Sequence, residues 1–470
     1  MGTDFLYIMK SEMILTLIIF IILFLKIWDG IKNNATLLHF TNIMLFINLV
    51  IGFFSNTDGN LFNGMFMTNN LIVLEKNILN GGAFIISLMA FDWLKTHKHL
   101  LEFYVLLLCT LLGMYFMISS GNFLMFFLGL ELSSIPLATL ANYDIEKIKS
   151  SESAVKMILS SSFASAIMLF GISMLYGTTG TLNFVEMAPL LKTASQLQIL
   201  SFIFVFAGFA FKLSAVPFHL WTADVYEGAP APVTAYLSVI SKGSIIFIFI
   251  TVMFKLFATY SGIWYNMLYL TILLTITIGN LFAIRQDNIK RFLAFSSVSQ
   301  MGYILLGLSS GTGMGTASAI FFLIVYTFSN LGAFGVISLV SAKTGKENIS
   351  DYNGFYATNP YLGWVMAISL FSLGGIPPTA GFFGKMFLVT AGAEKANYLL
   401  IAIAVMNMVI SLFYYLRVVK AIFIDKNDKP IAKLTGSMSM KLALAICLVG
   451  VITTGFASQL FEYIHTITGK

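Results

Sequence analysis

Long apolar runs separated by short polar stretches recur along the whole chain. Most are about as long as the roughly 20 residues that an α-helix needs to cross a bilayer, and they lack the two-residue alternation of a transmembrane strand. A helix pairs its own backbone groups, which makes it a favoured element in lipid. The pattern predicts about fourteen transmembrane helices, at residues 12–28, 37–54, 75–94, 100–118, 121–142, 153–176, 197–220, 232–256, 261–284, 288–308, 314–341, 360–391, 397–422 and 439–460.

The composition supports an all-α polytopic membrane protein. Of the 470 residues, 58% are hydrophobic and 10% are charged, whereas a soluble domain is about 25% charged. A soluble enzyme is therefore excluded. The cysteines, Cys109 and Cys447, and the five histidines form no pattern suited to an iron–sulfur cluster or a bis-histidine haem. We expect no redox centre in this chain.

The loop charges predict an orientation. With fourteen helices, most Lys and Arg residues fall in the loops that follow odd-numbered helices, as Arg285 and Lys343 do. Short loops rich in Lys and Arg stay on the cytoplasmic side of a membrane. Both termini are therefore expected on the outer side.

Five charged residues inside the predicted spans or at their ends are the main candidates for function. A charge in hydrocarbon raises the free energy by at least about 2.5–3.5 kcal/mol, so it normally faces protein or water and marks an ion path. Burial disfavours the charged form of a lysine, and a nearby carboxylate favours it. We expect Glu131 and Lys212 to form a movable pair that acts as a proton switch. The alternatives are a structural carboxylate, a static salt bridge and, for Lys242, an ammonium that extends to the membrane surface. The five residues are Glu131, Lys156, Lys212, Lys242 and Lys385.

Prolines predict two interrupted helices, the seventh and the twelfth. Pro217 follows Lys212 closely, and Pro377 and Pro378 precede Lys385. Proline removes a helix hydrogen bond and clashes with the preceding turn, and paired broken helices are typical of inverted repeats around a midplane ion site. An ordinary kink at each proline is the alternative. We expect two inverted five-helix repeats within a single membrane domain, divided into N-terminal helices (1–99), a first repeat (100–256), a second repeat (257–425) and a C-terminal helix (426–470).

Other polar side chains are candidates for the same path. His219 follows the first break, and a neutral imidazole can both donate and accept a proton. Ser296, Gln300 and Tyr303 form a stripe on the tenth predicted helix. Such a stripe can hold water, although small polar residues also pack helices together. Lys156, at the start of the sixth predicted helix, either joins the path or forms an interfacial ion pair.

Three stretches carry a family resemblance. They are Trp221–Ala235 (WTADVYEGAPAPVTA), Arg291–Tyr303 (RFLAFSSVSQMGY) and Leu373–Lys385 (LGGIPPTAGFFGK). At these residues the chain resembles the antiporter-like membrane subunits of respiratory complex I, the NADH–quinone oxidoreductase. Weaker similarity extends over about residues 100–425.

The resemblance implies roles for particular residues. The family places a glutamate on the fifth helix, lysines on the seventh and eighth, and a lysine or glutamate on the twelfth; these positions match Glu131, Lys212, Lys242 and Lys385. His219 matches a family histidine after the first lysine. Gln300 stands where family members often have histidine. Because glutamine does not titrate, a relay there would use water and hydroxyl groups.

The resemblance implies a proton-translocating membrane subunit to which redox energy arrives by conformational or electrostatic coupling. FMN, iron–sulfur clusters, NADH and quinone would then bind to other subunits, and this chain would hold no cofactor. The implied partners are protons, the lipid of a bacterial inner membrane, a neighbouring antiporter-like subunit (M) and small subunits such as K and J, but no nucleic acid. The alternatives are a subunit of a multi-subunit Na⁺/H⁺ antiporter and a structural scaffold whose charges neutralise each other.

Overall fold

The chain forms two compact units in a computed structural model that describes residues 2–28, 33–54, 58–192 and 194–469. Unit one comprises Met1–Phe84, Lys95–Leu213 and Ser241–Trp264, and unit two comprises Ile85–Leu94, Ser214–Ile240 and Tyr265–Lys470. The predicted division at residues 100, 257 and 426 remains a prediction.

Helices make up nearly all of the regular structure, as the apolar runs predict. The first eleven described α-helices are α1 (Gly2–Ile8), α2 (Lys10–Trp28), α3 (Asn34–Gly52), α4 (Asn70–Met89), α5 (Phe91–Leu94), α6 (Leu100–Ile118), α7 (Phe123–Ala141), α8 (Ile148–Thr179), α9 (Phe184–Leu190), α10 (Gln196–Lys212) and α11 (Leu220–Gly228). The remaining ones are α12 (Ala231–Tyr236), α13 (Lys242–Thr251), α14 (Ser261–Ile284), α15 (Ile289–Leu308), α16 (Gly313–Thr344), α17 (Phe355–Thr358), α18 (Pro360–Gly374), α19 (Ala380–Ala393), α20 (Tyr398–Phe423), α21 (Met438–Phe456) and α22 (Ser458–Thr468).

Ten helical stretches within the described residues are long and apolar enough to cross a membrane. The shorter apolar helices α10, α18 and α19 belong to the two interrupted segments. Those ten, the two interrupted segments taken once each, and α2 and α15 with 19 and 20 residues make fourteen within the described residues, in agreement with the prediction of about fourteen spans. The chain is a multi-pass membrane protein.

Both predicted interruptions are present. Pro217 lies between α10 and α11, and Pro377 and Pro378 lie between α18 and α19. At the second interruption Gly375 has φ +81°, a conformation that glycine adopts without steric cost. A Cβ at this position would lie 3.2 Å from Cδ of Lys385. The glycine therefore serves both the turn and the close approach of the lysine.

A short β-hairpin departs from the all-helical prediction. Strands β1 (Gly59–Leu61) and β2 (Phe66–Thr68) pair antiparallel between α3 and α4. Phe62, Asn63 and Gly64 in the connecting turn all have positive φ. Each strand has only three residues, which is too few for alternation to be visible in the sequence.

A repeated asparagine bridge supports the internal repeat. In unit one Asn122, which caps α7, forms a β-bridge with Asn183, which caps α9. In unit two Asn288, which caps α15, forms the same kind of bridge with Asn348, which follows α16. Each bridged pair encloses two helices, and the second of them, α8 or α16, has 32 residues and ends at a left-handed glycine. The same local arrangement thus occurs once in each unit.

Helices α6 and α7 cross closely at two glycines in unit one. A Cβ on Gly113 would lie 2.5 Å from the Ser133 backbone nitrogen, and one on Gly129 would lie 2.6 Å from the Met117 nitrogen. Small residues allow the backbones of membrane helices to approach in this way. The crossing fixes α7, the helix that carries Glu131.

We expect Gly129→Ala to destabilise unit one by about 1–3 kcal/mol, because the added methyl group would overlap backbone atoms that cannot move independently. The measurement is the thermal unfolding of the purified protein in detergent. The matched control is Gly177→Ala on α8, where a Cβ would meet no atom within 4 Å and alanine is the better helix former. Equal effects of the two substitutions would contradict the close crossing.

Candidate functional site

Lys212, the last residue of α10, reaches two other helices of unit one. Its Nζ donates hydrogen bonds to Ser134 Oγ on α7 and to Ser161 Oγ on α8, each at 2.7 Å. A hydroxyl can accept from an ammonium group and can also donate to a neutral amine. The two serines can therefore hold this lysine in either protonation state, as a proton carrier requires.

Glu131 lies on α7 one turn before Ser134. Its Oε1 is buried and has no hydrogen-bond partner among the described residues, and its charge acts on Lys212. The sequence predicts that these two residues form a movable pair. In the structure the Lys212 ammonium donates a hydrogen bond to Ser134. The Glu131 carboxylate acts on the lysine electrostatically. A carboxylate that is not held in an ion pair can change its distance from the lysine.

Lys242 is buried and follows an irregular helical turn. The lysine is 1% exposed and opens α13. A π-helical turn, Leu237–Ser241, precedes it, and a second π turn, Val252–Leu256, ends the helix. π turns are rare and are frequent at functional sites. The burial of Lys242 is inconsistent with an ammonium that extends to the membrane surface.

Lys385 on α19 binds the carbonyl groups at the end of α18. Its Nζ donates to Leu373 O at 2.7 Å and to Gly374 O at 3.4 Å, and lies 5.1 Å from the centre of the Tyr303 ring. The last carbonyls of a helix lack partners within it and carry the negative end of its dipole. The interruption of the helix therefore creates the cation site itself. The lysine is 1% exposed.

A hydrogen-bonded chain connects Leu373 with α20. The Gln300 amide donates to Leu373 O at 3.0 Å and to the Tyr415 hydroxyl at 2.9 Å. The Tyr415 hydroxyl in turn lies 2.5 Å from Ser296 Oγ. Tyr415 is absent from the sequence prediction, because a lone tyrosine in an apolar run is indistinguishable from a core residue. Its hydroxyl supplies a titratable group beside the glutamine.

His219 lies at the start of α11 in unit two and is 6% exposed. The centre of its ring is 6.0 Å from that of Phe282 and 6.5 Å from that of Phe295. The imidazole is thus placed in an aromatic environment inside the protein. Its part in a relay remains a prediction.

The candidate residues fall in two groups. Unit one holds Glu131, Lys156, Lys212 and Lys242. Unit two holds His219, Ser296, Gln300, Tyr303 and Lys385, together with the breaks at Pro217, Pro377 and Pro378.

Lys156 differs from the candidate lysines Lys212, Lys242 and Lys385 because its side chain is exposed. Its Nζ lies 2.6 Å from Glu152 Oε1, and the two side chains are 42% and 56% exposed. An exposed pair at this helical spacing contributes about 0.3–0.5 kcal/mol. The geometry favours the interfacial ion pair over a place on the path.

We expect Lys156→Gln to keep proton pumping within about twofold of the wild type, because the ion pair that it removes is exposed to solvent and contributes little. The measurement is proton uptake by vesicles that contain the assembled complex, with electron transfer followed in parallel. A loss as large as that of a Lys242 variant would return Lys156 to the path.

A cavity of about 1020 Å³ opens beside α7 in unit one. Its lining includes His97, Asp144 and Ile135, and Ile135 is one turn beyond Glu131. Burial lowers the pKa of His97, against the opposing effect of Asp144, whose Oδ1 lies 3.9 Å from His97 Nε2. Titratable groups thus line a cavity that extends along α7 as far as Ile135, one helical turn from Glu131.

Arg291 joins two of the three family-like stretches within unit two. Its Nη1 lies 2.6 Å from Asp224 Oδ1 and 3.0 Å from Glu227 Oε2, and its Nε donates to Gln286 Oε1 at 3.0 Å. The sequence shows these charges only as separate motifs. In the structure they hold the start of α15 against α11.

A lysine at each of two interrupted helices, in a fold of about fourteen spans, defines an antiporter-like membrane subunit. The family model described as NADH:quinone oxidoreductase/Mrp antiporter, TM, matches residues 120–411. This range includes both interruptions and all five of the charged candidates, from Glu131 to Lys385. The chain belongs to this family.

Curated relatives within the family are similar over most of their length. NADH-quinone oxidoreductase subunit N of Azobacteroides pseudotrichonymphae is 51% identical over 415 residues, which cover 87% of this chain and 86% of the relative. Subunit N of Phocaeicola vulgatus is 47% identical over 461 residues, which cover 97% of each chain. The chain is therefore similar to subunit N along nearly its whole length.

Solved structures show the same fold at lower identity. A chain of respiratory complex I from Thermus thermophilus with bound aureothin superposes with a TM-score of 0.79 at 24% identity and covers 96% of this chain and 98% of its own. A chain of the Mrp complex from Dietzia sp. gives a TM-score of 0.87 at 20% identity, with 98% and 97% covered. At these identities the likeness concerns the fold alone.

Proposed function

We propose that the chain is a proton-translocating membrane subunit of an NADH–quinone oxidoreductase, of the subunit N type. The observation that carries the proposal is the lysine at each interrupted helix. Lys212 binds two hydroxyls and Lys385 binds two carbonyls, so each ammonium is stabilised inside the protein by neutral oxygens. The identity to the subunit N relatives supports the redox-coupled type over a Na⁺/H⁺ antiporter subunit.

The proposed transport steps use the chain's own side chains. Glu131 stabilises the charged form of Lys212 when the two approach, and separation allows the lysine to release its proton. Lys242 receives the proton next, and the change in its charge alters the proton affinity of the following group. His219 and Lys385 act later in the series. The hydroxyls of Ser296 and Tyr415 can orient water beside Gln300, which itself carries no proton.

No redox chemistry is assigned to this chain in the proposal. Within the described residues, no group of three or more His, Cys, Asp and Glu side chains is arranged to hold a metal ion. FMN, iron–sulfur clusters, NADH and quinone would bind to other subunits. The free energy of electron transfer there would reach this chain through contacts between subunits in the membrane. Those partners would include subunit M and small subunits such as K and J. The proposed location is the bacterial inner membrane, with both termini outside.

The test is purification of the tagged chain from its own membrane, followed by reconstitution. We expect NADH-oxidising subunits to co-purify and NADH oxidation by quinone to drive proton uptake into vesicles. Exchange of Na⁺ for protons without NADH, together with antiporter subunits alone as partners, would favour the antiporter alternative and overturn the proposal.

A further inference from the structure

A second group of buried charges lies at the start of α4 in unit one. Glu12, Glu75 and Lys76 are 1%, 2% and 2% exposed, although each carries a full charge in its ordinary state. Charges buried in a membrane protein are unfavourable unless they are paired or functional. None of the three belongs to the path proposed above.

Lys76 is already paired, whereas Glu75 is not. Lys76 Nζ lies 2.6 Å from Glu12 Oε1 and 5.0 Å from the centre of the Phe66 ring. Among the described residues no hydrogen bond or ion pair holds the Glu75 carboxylate. The cations that act on it electrostatically are Lys255 first and Lys76 second. Glu75 is therefore the buried acid of this group that remains available to a proton.

The packing of α4 connects Glu75 with Lys242. A Cβ on Gly243, the residue after Lys242, would lie 3.5 Å from Leu79 Cδ2. Glu75 is four residues before Leu79 and so lies on the same face of α4, one turn away. That face of α4 packs on α13 beside Lys242.

Lys255 fixes the direction in which this route leads. It lies in the π turn that ends α13, about 20 Å along the helix from Lys242, and it is exposed. Leu79 packs near the beginning of α13, and Glu75 senses the charge at its end, so the two helices run antiparallel. The direction from Leu79 to Glu75 along α4 therefore leads away from the buried Lys242 and towards the exposed Lys255.

Two buried polar atoms of unit one can support water. Asn80 Oδ1, five residues after Glu75 on α4, and Asn48 Nδ2, on α3, have no hydrogen-bond partner among the described residues. Buried polar groups of this kind are normally satisfied by ordered water. A proton can pass along such water between side chains that do not touch.

We propose that Glu75 is a proton-carrying group of an outlet within unit one, through which protons leave Lys242 towards the end of the membrane at which α4 begins. This proposal rests on the function proposed above. The Lys242 ammonium gives its proton through water to the Glu75 carboxylate, which leaves a neutral amine and a neutral acid. The acid then releases the proton to water beside Lys255, and the positive charge of Lys255 stabilises the carboxylate that remains.

The test compares Glu75→Gln with Glu75→Asp in the assembled complex in vesicles. We expect the glutamine variant to slow proton transfer through this subunit at least about 100-fold, the lower range for removal of a proton-transfer group, while the aspartate variant keeps most of the rate. The matched control is Glu186→Gln, an exposed acid that should pump as the wild type does. Wild-type pumping by the Glu75→Gln variant, or equal loss in both Glu75 variants with the complex intact, would overturn the outlet.

Two further variants separate the possible failures. If Glu75→Gln does not assemble, Lys255→Gln decides, because this residue is exposed and its replacement leaves the core unchanged. Slower proton release in that variant supports the outlet, and an unchanged rate overturns it. If Lys242→Met pumps normally, the proposed function fails; if Lys242→Met is inactive and the Glu75 and Lys255 variants are normal, only the outlet fails.

Discussion

Lys242→Met is expected to abolish proton transfer through this subunit while the complex still assembles. Lys242 is 1% exposed, and methionine has a similar length without a charge. Methionine therefore fills the same space and removes the free-energy cost of keeping a charge away from water, so the fold should persist. Loss of a proton-transfer group slows transfer by about 100-fold or more. The measurement is protons taken up per electron in vesicles, with NADH oxidation followed in parallel.

The control for this variant is Lys156→Gln, which removes a lysine of the same unit that is exposed and paired. Unchanged protons per electron in Lys242→Met would refute the central position of this lysine. A parallel loss in both variants, with the complex intact, would return Lys156 to the path.

Glu131→Gln is expected to reduce pumping about tenfold and to leave assembly intact. Glutamine keeps the size of the side chain and removes its charge. The Lys212 ammonium stays bound to Ser134 and Ser161, so the helices remain connected. What is lost is the electrostatic stabilisation of the charged lysine, and a tenfold loss corresponds to about 1.4 kcal/mol. The measurement is again vesicle acidification at a fixed rate of NADH oxidation.

Two results would count against the switch formed by Glu131. Normal pumping by Glu131→Gln would show that the charge of Glu131 has no part in transfer. Failure of the complex to assemble would favour the structural scaffold, in which the carboxylate only neutralises a neighbouring charge. Ser134→Ala provides the comparison, because it removes one ligand of Lys212 without changing any charge.

Prolines and lysines made the interrupted helices predictable from the sequence. Both residue types are unfavourable in an apolar helix, so each of Pro217, Pro377, Lys212 and Lys385 carries information by its presence alone. The structure confirms the interruptions and shows what the lysines bind. It does not test the transport roles, which remain proposals.

Other parts of the site depend on helix boundaries that hydropathy does not reveal. The predicted span began at residue 75, whereas Asn69 caps α4 by accepting a hydrogen bond at 2.9 Å from the Ile72 nitrogen, and the helix begins at Asn70. Glu75 and Lys76 therefore lie within the helix and not at its edge. An asparagine before an apolar run was the available signal.

Contacts between distant helices were out of reach for a different reason. Tyr415 on α20 meets Gln300 on α15 at a separation of 115 residues. Periodicity within one helix reports which face is apolar, but it does not identify the helix packed against that face. The same limit applies to the two serines that bind Lys212.

The repeated asparagine bridges allow the two halves of the chain to be compared position by position. Asn288 follows Asn122 by 166 residues, and at that spacing Glu131 corresponds to Ser297. The frame is thus duplicated and each interrupted helix has its lysine, whereas the acid Glu131 has no acidic counterpart at that spacing. A path built from two identical inverted halves would present the same free-energy profile from either end. The unequal placement of acid and base breaks that symmetry, and a symmetry-broken profile is what allows coupling energy to drive protons in one direction.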